Sequence, residues 1–120
     1  MAAPNLLNLT TAIGVTTFAN VTQSAANVVT NPAASNKAFR LNSLMFVSTG
    51  VNTSVTAYIN SPGRTPSNTF VVDETVLVSN AIFVALDKNT VIYLQEGESL
   101  FAVAAANNAA HAILTYEDLS

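Results

Sequence analysis

Glu96-Gly97-Glu98 is the spacing in this sequence that comes nearest to acid–base chemistry. A glycosidase places two carboxylates about 5–10 Å apart on either side of a sugar. Here two adjacent acids flank a glycine, no aromatic platform lies beside them, and the chain has no tryptophan. They read as an exposed, hydrated turn, not the apolar pocket that makes a carboxylic acid a proton donor near neutral pH. His111 is the only histidine, and there is no cysteine. A zinc centre takes three or four nitrogen, sulfur or oxygen ligands, so no metal site is expected. Serines are frequent, yet no G-x-S-x-G elbow presents one as a nucleophile. Asp87-Lys88-Asn89 offers too few oxygens for a calcium loop, and no glycine-rich cradle suggests a phosphate or other cofactor. The expectation is a protein that is not an enzyme, with no catalytic, cofactor or metal residues.

The surface chemistry is as informative as the missing site. Of the 120 residues, 50% are apolar and only 9% charged, against about a quarter charged in an ordinary domain. Asn, Thr and Ser supply the polarity instead. Such a surface repels its own kind weakly and suits a protein packed in an assembly, the other reading being a secreted β-domain with a neutral exterior. Net charge is −3, and Lys37, Arg40, Arg64 and Lys88 are scattered, so the clustered cations of a nucleic-acid site are absent. No apolar run approaches the ~18 residues of a membrane span. The opening MAAPNLLNLTTAIG lacks a basic segment followed by an apolar one, so use without Sec export is expected. In that setting Asn8, Asn20 and Asn52, each in an N-x-Ser/Thr triplet, read as products of Asn and Thr richness.

These residues are positioned by strands. No window keeps a helical stripe, whereas β-branched runs recur between turn signals every 8–12 residues. Strands are expected at 11–22, 26–32, 39–48, 53–60, 69–79, 81–87, 90–95, 99–106 and 111–118. Val55, Ala57 and Ile59 alternate with polar neighbours and should face the core. Gly97 should take the positive φ of a tight turn. Asn107-Asn108 reads as the turn of a hairpin joining the last two strands. The loop at 61–68, with two prolines and a glycine, is the longest and presents Arg64. The expected fold is an all-β, single-domain antiparallel sandwich or jelly-roll-like barrel over 11–120. Residues 1–10, with Leu6, Leu7 and Leu9, form either a first core strand or an arm that docks on a neighbour.

Leu86–Ser120, LDKNTVIYLQEGESLFAVAAANNAAHAILTYEDLS, resembles the C-terminal end of a group of small virion proteins of tailed phages. The shared features are a strand, the acidic-glycine turn at Glu96–Glu98, the Ser99–Ala106 strand, an Asn turn and the ending Thr115–Leu119. Ser24–Ser48, with its Asn-Pro turn and Lys37, is similar to that group's upstream strands. The resemblance implies a structural role in the virion, most simply as a capsid decoration or cement protein on the head shell. Its partners would be the major capsid protein or neighbouring virion proteins, without nucleic acid or membrane. The alternative is a neck- or tail-associated structural module, or a receptor- or glycan-binding one. A homo-oligomer is expected, three copies being favoured because capsid lattices offer threefold positions. Leu6, Leu7, Leu9 and Arg64 are the expected contact residues.

Overall fold

In a computed structural model, residues 11–87, 89–90, 92–107 and 109–120 are described, and Leu6, Leu7 and Leu9 lie outside them. The described residues form nine strands and no helix: β1 (Ala12–Val21), β2 (Ala26–Thr30), β3 (Ala38–Ser48), β4 (Thr53–Asn60), β5 (Asn68–Leu77), β6 (Ile82–Leu86), β7 (Ile92–Leu94), β8 (Ser99–Ala104) and β9 (Ala110–Leu119). All pairings are antiparallel. One sheet runs β1-β9-β3-β6, with β7 also paired to β3; the other runs β2-β8-β4-β5. This order is that of a jelly roll. Successive strands alternate between sheets except at the β4–β5 hairpin, and β6 and β7 together occupy one strand position along β3.

Alternation explains the layering. In β4, Thr53, Val55, Ala57 and Ile59 are buried while Ser54, Thr56, Tyr58 and Asn60 are not, as the period of two requires. The facing sheet contributes Leu41, Leu44, Phe46, Ala112 and Leu114, all fully buried. Leu94, Leu100 and Val21 close the same cluster. Truncating one of these leucines to alanine typically costs about 2–5 kcal/mol, because the cavity left behind collapses only partly.

The expected C-terminal hairpin does not form. β8 pairs with β2 and β4, whereas β9 pairs with β1 and β3, so the segment between them crosses from one sheet to the other. The alanines belong to that crossing. Ala109, Ala110 and Ala112 are fully buried, where a larger side chain would push the sheets apart. Backbone bonds fix the corner: Ala104 N–H donates to Thr22 O at 2.7 Å, and Thr49 N–H donates to Ala109 O at 3.0 Å.

Candidate interaction surface

Glu96 and Glu98 are not hydrated; they are 3% and 2% exposed. The turn itself is as expected, with Gly97 at φ 79°. Its carboxylates are buried because other segments use them as acceptors. Asn36 N–H donates to Glu96 Oε2 at 2.5 Å, and Gln95 N–H donates to Glu98 Oε1 at 2.7 Å. Asn31, fully buried, completes the knot. Its N–H donates to Glu98 O at 2.9 Å, its carbonyl accepts from Gly97 N–H at 2.8 Å, and its amide donates to Leu94 O and Lys37 O. The remaining oxygen, Glu98 Oε2, lies 3.1 Å from Arg64 Nε. No aligned hydrogen bond reaches that oxygen, so the contact is one of charge. These carboxylates therefore act structurally, holding the β7–β8 turn to the Asn31 corner and the 61–67 loop. Arg64, an expected contact residue, has its partner within its own chain, although its side chain is 50% exposed.

The other chemical candidates are dispersed. His111 stands near the start of β9, exposed. Among the described residues, no three His, Asp or Glu side chains come together as a metal-binding group. A glycan platform would require aromatic rings to converge, but the tyrosines do not. Tyr116 packs on Phe39 with ring centroids 4.9 Å apart, and burial pushes its phenol above the ordinary value, helped by the Asp118 carboxylate and opposed by Lys37. Tyr93 is on β7. Tyr58 stands on the outer face of the second sheet, stacked on Phe101 at 5.5 Å and edge-on to Phe70 at 6.3 Å.

The outer face of the first sheet carries the feature with the clearest potential for recognition. Register brings Phe18 opposite Ile113, Ile113 opposite Met45, and Met45 opposite Val84. One apolar row thus crosses β1, β9, β3 and β6 on a face that alternation would leave polar. Phe18 is 73% exposed and Val84 52%. The adjoining row is Asn20, His111, Val47 and Ile82, the last 65% exposed. An open concavity of about 520 Å³, lined by Phe18, Ala19, Asn20, His111 and Ile113, lies at the β1 end of these rows. The charged pairs Arg40–Glu117 and Lys37–Asp118 are confined to the opposite end of β3 and β9. A neighbour's apolar side chains could enter this surface with few charges to desolvate, the composition found at interface centres.

No family model and no curated protein matches the chain. Among solved structures, the fold is similar to that of a protein described under "Bacillus endospore appendages form a novel family of disulfide-linked pili". The TM-score is 0.55 at 15% identity, over 91% of this chain and 85% of that one. At that identity the likeness shows a shared β-sandwich fold.

Proposed function

We propose that the protein is a structural subunit of a tailed-phage particle, a decoration protein that caps the head shell. The carrying observation is the row Phe18–Ile113–Met45–Val84, an apolar stripe on the outside of a sandwich whose described residues form a separate buried core. Burying one such aromatic or aliphatic side chain on docking is worth about 1.5–3 kcal/mol. The sparse charge and the resemblance of Leu86–Ser120 to small virion proteins support the same reading. The contact residues are then Phe18, Ile113 and Val84, in addition to the N-terminal leucines Leu6, Leu7 and Leu9. Arg64 serves the fold through Glu98, and only its exposed half is left for the shell.

Quantitative mass spectrometry of purified particles tests the proposal. A copy number on the scale of the major capsid protein is expected. A few copies per particle would move the protein to the neck or tail.

The fold neighbour favours a second reading, the repeating subunit of a surface appendage. This chain has no cysteine, so such a fibre would be held without disulfides. Absence from particles, with recovery in sheared surface filaments, would select that reading.

A further inference from the structure

Among the described residues the sandwich has open edges at β1, β2, β5 and the position shared by β6 and the three-residue β7, and all but β1 are blunted. β2 is five residues long, has a register shift at Asn27/Val29 and runs into Pro32. β6 is five residues long and its pairing shifts at Leu44/Met45. β5 carries Asp73 and Glu74, takes φ 48° at Glu74, and shifts register twice against β4. Such bulges, charges and short lengths are how sheets prevent unwanted strand addition. β1 has none of them. It is ten residues long, carries no charge and no proline, and keeps unbroken register with β9.

The hydrogen-bond phase shows what this edge offers. Thr11 and Ser120 exchange both backbone bonds, each at 3.0 Å. Bonded and non-bonded pairs alternate along an antiparallel ladder, so the odd-numbered residues of β1 bond to β9. Ala12, Gly14, Thr16, Phe18 and Asn20 then turn their N–H and C=O groups to the free side. Among the described residues nothing takes them. The geometry points to a second copy of this chain as the occupant, with β1 pairing antiparallel to β1 about a twofold axis at Thr16. That register uses all the free groups: Ala12 against Asn20, Gly14 against Phe18, and Thr16 against itself. It also accounts for Gly14. Among the described residues a methyl group placed there would meet nothing within 4 Å, and its φ is not positive, so nothing described in the single chain calls for glycine at a strand position that glycine weakens. In the pair, the Phe18 ring of one copy lies across the bare backbone of Gly14 in the other, the rescue by which an aromatic residue covers a strand glycine. The two apolar rows then join into one continuous outer face. An isologous contact closes at two copies, so this edge makes a dimer and not the trimer expected from lattice symmetry.

The inference stands on the β1 edge and does not depend on a phage particle. Sedimentation of the full chain at micromolar concentrations tests it, with Thr16→Lys and Thr16→Glu as variants. Like charges meeting across the axis should each weaken dimerisation about tenfold. An equimolar mixture should restore the dimer, because Lys then faces Glu. Gly14→Val should weaken the dimer similarly while the monomer's melting temperature holds or rises, which separates loss of pairing from loss of folding. A wild-type monomer or trimer would overturn the proposal, as would variants that dimerise like the wild type or a mixture that fails to rescue.

Discussion

The two outer faces of the sandwich each carry a row of large apolar side chains, and the rows are built differently. On the second sheet, Phe101 and Phe70 flank Tyr58 on the neighbouring strands, and the Tyr58 ring contacts both. On the first sheet, Phe18 and Val84 stand at the ends of their row, 73% and 52% exposed, and among the described residues no ring packs on Phe18; Phe70, itself 59% exposed, keeps its edge-on contact with Tyr58. The first arrangement stabilises strand pairing within the chain, since cross-strand aromatic pairs contribute beyond their buried area. The second leaves apolar surface whose burial needs another molecule. Similar composition is thus tied together by ring contacts within the chain on one face and left without them on the other, the face to which the proposed assembly contact is assigned.

Substitutions can separate the two roles. The largest effect on stability is expected from Tyr58→Ala, which removes both ring contacts. It should lower unfolding free energy by about 2–3 kcal/mol in urea titration and leave particle binding by the folded fraction unchanged. Arg64→Ala comes next. It leaves the buried Glu98 carboxylate without its cation, and with Arg64 half in solvent the loss should be about 1–2 kcal/mol, partly masked by high salt. Phe18→Ser should shift stability by no more than about 0.5 kcal/mol, as surface changes usually do, yet strip the protein from particles. The smallest effect concerns alkaline pH. The folded state holds the Tyr116 proton more tightly than the unfolded chain does. That contribution is intact below the ordinary tyrosine range near pH 10 and is lost as pH rises through the raised folded value. Thermal melts should therefore decline above about pH 10, and Tyr116→Phe should remove that part of the decline.

Strand positions were legible because alternation and turn residues are local signals. The period of Val55, Ala57 and Ile59, and the positive φ of Gly97, follow from a few neighbouring residues. Sheet membership was not legible in the same way. Ser99–Ala106 and His111–Asp118 read as a hairpin, but which strands flank them depends on β2, β4, β1 and β3, far away in sequence. The burial of Glu96 and Glu98 was hidden for the same reason, since Asn31, Asn36 and Arg64 reach them from distant segments. The row Phe18–Ile113–Met45–Val84 draws on four strands and exists only once their registers are fixed. Its one local signal is Phe18, a large aromatic among the small residues of 11–22 in a strand with no charge.

The most direct test of the assembly role is occupancy on purified particles, compared between the wild-type protein and Phe18→Ser by quantitative mass spectrometry. The account predicts wild-type copies on the scale of the major capsid protein and a near-complete loss for Phe18→Ser, with the variant's fold intact by circular dichroism. A wild-type protein absent from particles, or a Phe18→Ser variant bound at the wild-type level, would contradict it.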